Sequence, residues 1–203
     1  MIRNLVFDIG NVLADYHIME FLAARGFDRE TSKRIVKASV MSPWWETFER
    51  GEISEEDVMR EFVRLDPGIE KELYAAYQNI AGMLTPRDYA VPLVRALRTA
   101  GYGVYYLSNY SKKAHDECPE TLRFAEYTCG GLLSFESGMT KPDPAFYRLF
   151  LKRFALDPKE CAFIDDTPEN VAAAEALGFT GIVFTDLDAL TRRLAELGVT
   201  FAL

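Results

Sequence analysis

LVFDIGNVLADYH, residues 5–17, poses the first structural question of the chain. Leu5, Val6 and Phe7 form an apolar run that ends on Asp8, and Gly10 stands two places further on. A short, uninterrupted apolar run closed by turn residues is the pattern of a strand covered on both faces. Three more such runs follow: GVYYLSN at 103–109, CAFIDD at 161–166 and GIVFT at 181–185. With 4–9 they make four expected strands.

Helical stretches separate them. Residues 92–100 stop at Gly101. Residues 144–154 open on Asp143 as an N-cap with Pro144 in the first helical position. Residues 168–177 follow Thr167 and stop at Gly178, and 188–197 are amphipathic and end at Gly198. Strands alternating with helices in this way predict a parallel sheet with helices on both sides. GGLLSFESG, 130–138, reads as one more short strand with a loop.

Residues 16–86 differ. Helical periods run over 18–25, 29–40, 54–65 and 69–81, with no convincing strand among them. Ser54-x-x-Asp57 has the form of a capping box with Asp in the Glu position. A helical segment thus interrupts an α/β domain just after its first strand, as an inserted cap would.

Bulk properties exclude several classes of function. The chain has 203 residues, 49% hydrophobic and 27% charged, which fits one domain carrying an insertion. Its net charge of −8 disfavours nucleic acid and anionic membrane as partners, though a local pocket can still be positive. Cys118, Cys129 and Cys161 are widely spaced, and only His17 and His115 could join them. Neither a zinc site nor a disulfide framework is expected, and reduced thiols point to the cytoplasm. Arg3 and Asp8 interrupt the opening apolar stretch, so no secretory leader is expected. No run reaches the ~18 apolar residues of a membrane span.

In open α/β sheets, ligands sit beyond the carboxyl ends of the strands. Those ends carry Asp8, Ser108-Asn109 and Asp165-Asp166. Any one of them could be a cap or turn residue, but three polar endings at one rim suggest a site. Lys141, held in GMTKPDP between Gly138 and Pro142, could neutralise phosphate or carboxylate charge there.

These four stations resemble, in order and spacing, the motifs of the haloacid-dehalogenase-like hydrolase superfamily. Asp8 in VFDIGNVL is similar to the first motif and Ser108 in YYLSN to the second. Lys141 in GMTKPDPAFY is similar to the third and Asp165-Asp166 in FIDDTPENVAAAEALG to the fourth. The insert resembles the helical C1 cap of that family. The closest branch is that of sugar-phosphatase-like members beginning DxGNV and carrying ERGEIS in the cap, here 49–54.

The resemblance implies a Rossmann-like three-layer α/β core at 1–15 and 87–203 with a helical cap at 16–86. It implies a Mg²⁺-dependent phosphomonoester hydrolase of small phosphorylated metabolites, sugar phosphates foremost, working through an aspartyl-phosphate on Asp8. Ser108 and Lys141 would be the other catalytic groups, and Ser108, Asn109 and Lys141 would hold the phosphate. Asp8, the carbonyl of Gly10 and Asp166 would bind Mg²⁺, with Asp165 as an alternative or outer ligand. Asn170 stands where many relatives carry a further aspartate.

Most phosphatases of the family also carry an aspartate where this chain has Gly10. That residue protonates the leaving oxygen. Three responses are open: Asp15 substitutes, the substrate has a better leaving group (a sugar 1-phosphate or an acyl phosphate), or water serves.

In the cap, SPWWETFERGEIS at 42–54 sets Trp44, Trp45 and Phe48 among Glu46, Glu49 and Arg50. Those aromatics are either cap core or a sugar-binding face, with Trp45 and an Arg50-Gly51 loop as candidate substrate contacts. Tyr16 and His17 lie at the hinge into the cap. Two other readings compete: a metal-free haloacid dehalogenase, which Gly10 favours and the Asp165-Asp166 pair disfavours, and a weakly active phosphometabolite-binding protein. The protein is expected as a monomer or homodimer.

Overall fold

The computed structural model describes residues 1–203. A five-stranded sheet carries the core. Its strands are β1 (Asn4–Phe7), β4 (Gly103–Ser108), β5 (Gly130–Leu133), β6 (Cys161–Asp165) and β7 (Thr180–Val183). They lie in the order β5-β4-β1-β6-β7, and every pairing is parallel. The order reverses on either side of β1, the switch point at which open α/β sheets form a crevice. In register, Phe7 lies opposite Tyr106 on one side and Ile164 on the other, so the three strands end side by side.

The pleat sorts the core residues. Leu5 and Phe7 join the large cluster that continues through Leu93 and Leu97 into Leu22, Ile35 and Phe62. Val6 faces the opposite layer, with Leu107, Phe146, Tyr147, Phe150 and Phe163. Helix α6 (Ala90–Thr99) covers one face, while α9 (Pro144–Phe154) and α10 (Pro168–Glu175) belong to the other. Helix α11 (Leu187–Glu196) closes the chain on Leu190 and Leu194. Gly131 is required by packing, because a Cβ there would lie 2.3 Å from the Tyr106 ring.

Between β1 and α6 the chain forms α1 (Ile18–Ala24), α2 (Arg29–Ala38), α3 (Pro43–Glu49), α4 (Glu55–Leu65) and α5 (Glu70–Tyr77). Ser54 caps α4 by accepting from the Asp57 N–H at 3.0 Å. The Asp57 carboxylate accepts a hydrogen bond from the Ser54 hydroxyl at 2.6 Å rather than reaching back to the backbone as a longer Glu would.

The structure corrects several expectations. The first strand ends at Phe7, not at residue 9, because the chain turns on Ile9. The N–H groups of Val12, Leu13 and Ala14 all point to the Ile9 carbonyl, at 3.2, 2.9 and 2.8 Å, while Asn11 sits at a φ of 55°. A two-stranded antiparallel ribbon, β2 (Ala14–Tyr16) with β3 (Leu84–Pro86), occupies the ends of a stretch read as strandless. Three residues per strand are too few to show a period. After β5 comes one helical turn, α8 (Ser134–Ser137), instead of a loop. Helix α3 and a further helix, α7 (Lys112–Glu117), had no expected counterpart.

The helical segment is latched over the strand ends. Ser134 Oγ donates to the Glu49 carbonyl at 2.5 Å, and Thr140 Oγ1 to Glu46 Oε1 at 2.8 Å. Lys113, almost buried, reaches Glu55 at 2.5 Å and Glu117 at 2.7 Å. No helix is long and apolar enough to cross a membrane.

Candidate active site

Asp8 follows β1 and remains fastened to the sheet through its N–H, 2.8 Å from the Ile164 carbonyl. Lys141 Nζ lies 2.8 Å from Asp8 Oδ1 and 2.6 Å from Asp165 Oδ2, with all three side chains nearly or wholly shut from solvent. The lysine is directed to Asp165, so Asp8 Oδ1 is buried without a properly aligned hydrogen bond. Two carboxylates share one ammonium. Burial, with Asp165 adding to it and Lys141 opposing, pushes the Asp8 carboxyl up to about 6.

Asn109 fixes the backbone that carries the lysine. Its amide donates to the Lys141 carbonyl at 3.0 Å and accepts from the Lys141 N–H at 2.7 Å. Ser108, at the end of β4, is buried beside Asp8 and helps hold its carboxyl down.

Asp165 and Asp166 have different duties. Asp165 is fully buried and accepts from Lys141, from the Thr167 N–H at 2.9 Å and from Asn170 Nδ2 at 3.1 Å. The sequence reading gave it as an alternative or outer ligand of the metal; the structure pairs it with Lys141 while its carboxylate stays within 4.8 Å of those of Asp8 and Asp166. Asp166, one residue past the strand, faces the cavity and accepts from Asn11 Nδ2 at 2.9 Å. Asn170 serves Asp165 rather than the cavity.

The cavity above Asp8 measures about 200 Å³. Asp8, Gly10, Asn11, Asn109 and Asp166 form its floor, and Tyr16, Trp45, Glu49, Ile80 and Met83 are part of its remaining walls. Pockets for drug-sized ligands run from roughly 300 Å³ upward, so this one suits a small molecule.

Carboxylate oxygens of Asp8, Asp165 and Asp166 lie within 4.8 Å of one another. Hard carboxylate oxygens clustered at this spacing fit a small divalent cation such as Mg²⁺. A Cβ at Gly10 would meet nothing within 4 Å, and its φ lies outside the left-handed range. The backbone therefore does not demand glycine there.

Two cap and hinge expectations are corrected. Arg50 does not reach the cavity; it pairs with Glu46 at 2.9 Å and Glu52 at 3.0 Å. Successive helical residues point about 100° apart, so Glu49, the last residue of α3, enters the wall in its place. Asp15, on β2, is bound by Arg87 at 2.7 Å and does not line the cavity. His17 lies 3.7 Å from the other oxygen of Asp15, also outside the wall. Trp45 packs with Phe48, Phe62 and Tyr77, as a cap-core residue would, and also lines the cavity.

Sequence reasoning missed Glu49 as a site residue. Burial pushes its carboxyl up to about 7, with Trp45 and Lys141 pulling the other way. The available signal was its place four residues after Trp45, on the same helical face.

The haloacid dehalogenase-like hydrolase profile matches residues 2–178. A sesquiterpene phosphatase of Aspergillus oryzae is 30% identical over 195 residues, covering 96% of each chain. A D-ribitol-5-phosphate phosphatase of Bacteroides thetaiotaomicron is 27% identical over 88% of this chain and 90% of its own. A HAD family enzyme from the same bacterium, solved with magnesium and inorganic phosphate, superposes with a TM-score of 0.69 at 25% identity. That match covers 94% of this chain and 99% of the other.

Proposed function

This chain belongs to the haloacid dehalogenase-like hydrolases, and on that premise we propose that it is a Mg²⁺-dependent phosphomonoesterase of small phosphorylated metabolites, sugar phosphates among them, acting in the cytoplasm. The observation that carries the reading is the pairing of Lys141 with Asp8, which lines a cavity together with Asp166.

Asp8 attacks phosphorus and takes the phosphoryl group, dividing one difficult displacement into two easier ones. A carboxylate and a phosphate dianion repel each other, so positive charge must lie between them. Lys141 supplies one such charge, already 2.8 Å from Asp8. Asp8, Asp166 and the Gly10 carbonyl would hold Mg²⁺, which when bound neutralises phosphate charge and orients it for in-line attack. Ser108 and the Asn109 N–H hold the phosphate oxygens. Asp165 keeps Lys141 in place and charged, and burial raises rather than lowers the need for that support. The helical cap excludes water while the acyl phosphate forms.

The test is release of inorganic phosphate from a panel of phosphomonoesters, with and without Mg²⁺. Activity should vanish on EDTA treatment and return with Mg²⁺. Asp8→Asn should fold and be inactive; turnover above about 1% of wild type would remove Asp8 as the nucleophile. Halide release from haloacids that survives EDTA would establish the metal-free dehalogenase instead.

A further inference from the structure

We propose that Glu49, borne on the cap helix α3, donates the proton to the leaving-group oxygen, replacing the carboxyl that Gly10 lacks. The inference rests on the phosphomonoesterase reading and assigns the step that reading leaves without a residue.

Elimination among the cavity's own side chains leads there. Asp8 is the nucleophile, and Asp166 is tied to Asn11 at the floor. The Tyr110 hydroxyl is spent on Thr121 at 2.7 Å. Tyr16 holds its proton too firmly to give it up, because burial drives its acidity far below that of free tyrosine. Asp15 and His17 lie outside the wall. Glu49 is the carboxyl that remains, and it makes no ion pair, since its neighbour Arg50 is taken by Glu46 and Glu52.

Position agrees with role. Phosphate against Asp8 and Asn109 leaves the ester oxygen and its alcohol to the opposite wall of the cavity, where α3 contributes Glu49. The groups facing Glu49 are Asp8 and Lys141 from the core, Glu46 and Trp45 from its own helix, and Tyr16 from β2. Burial, Asp8 and Glu46 favour the protonated form, while Lys141 and Trp45 oppose them, leaving the carboxyl near 7.

The step balances as follows. Asp8 Oδ bonds to phosphorus as the P–O bond to the alcohol breaks, and the Glu49 proton passes to the departing oxygen, giving neutral alcohol and a Glu49 carboxylate. Water then attacks the aspartyl-phosphate. Its proton returns to Glu49, the bond to Asp8 breaks, and inorganic phosphate leaves.

The experiment is single-turnover alcohol release, enzyme in excess, over phosphate esters running from ethyl to p-nitrophenyl. Glu49→Gln should slow the ethyl ester by about 10²–10⁴-fold and the p-nitrophenyl ester, whose phenolate leaves unaided, by less than about threefold. In wild type, the ethyl-ester rate should fall on the alkaline side as Glu49 loses its proton, and Glu49→Gln should abolish that limb. Equal slowing of all esters, or none, overturns the assignment of Glu49 and leaves the phosphatase reading standing. Turnover surviving in Asp8→Asn overturns the phosphatase reading itself. The p-nitrophenyl rate also reports folding, so a misfolded variant is recognised by loss of that rate together with its thermal transition, and Glu49→Asp, which keeps the acid, must then restore part of the ethyl-ester rate or the assignment falls.

Discussion

Replacing Lys141 with methionine is the sharpest way to test how the floor of the site is held. Methionine keeps most of the volume of the lysine stem and removes the ammonium. Lys141 Nζ sits 2.8 Å from Asp8 and 2.6 Å from Asp165, with the lysine side chain 1% exposed. Without it, two buried carboxylates face each other with no counter-charge. Removing one partner of a buried ion pair costs about 3–5 kcal/mol. There is a ceiling, because a stranded carboxylate can take up a proton instead. At pH 7.5 that costs about 5 kcal/mol for a group ordinarily near 3.9, from 1.36 kcal/mol per unit. The two figures agree, and for a chain of this size about 1 kcal/mol moves the melting temperature by roughly 2–4 °C. Lys141→Met should therefore lower the melting temperature by about 6–20 °C in metal-free buffer. Adding Asp165→Asn should recover much of the loss, since one of the two stranded charges is gone. Calorimetry in EDTA at pH 7.5 reads both. A Lys141→Met loss below about 1 kcal/mol would show that the floor does not depend on the lysine for charge balance. Failure of Asp165→Asn to compensate would separate Asp165 from Lys141.

Stability should also register Glu49 without any catalysis. Its carboxyl is raised from 4.5 to about 7, so the folded state binds more protons than the unfolded chain between those values. Its contribution is complete below pH 4.5 and is lost as pH rises through 7. Glu49→Gln, which mimics the protonated form, should match wild type near pH 4.5 and be more stable by about 1–3 kcal/mol at pH 8, the lower figure allowing for water in the cavity. Urea titrations at the two pH values measure this, and a gap that does not widen with pH refutes it. Asp15→Ala should leave turnover within about threefold of wild type, because that carboxylate is bound to Arg87 outside the cavity; a larger fall in kcat would return it to the catalytic set.

Much of the site was legible because its chemistry is written at strand ends. Asp8, Ser108 and Asp166 lie one or two residues beyond apolar runs, and a parallel sheet necessarily gathers such positions along one rim. What stayed hidden depends on direction and on long-range partners. Asp165 and Asp166 are identical side chains one residue apart, yet the pleat turns one toward Lys141 and the other toward the cavity. Arg50 and Glu49 are likewise neighbours, and the helical rotation decides which of them enters the wall. The ribbon of β2 and β3 joins segments almost 70 residues apart through three paired positions, which leaves no local trace.

From residue order alone come the alternation of strands and helices, the helical insertion after the first strand, and an acidic rim answered by one lysine. These follow from local hydrophobic period and capping, which act over a few residues. Tertiary structure alone set Asp165 against Lys141 and Asp166 against the cavity, left Asp15 and Arg50 outside its wall and brought Glu49 into the same wall as Asp8. Such outcomes depend on burial and on charges brought together from distant segments, and both exist only once the chain has packed.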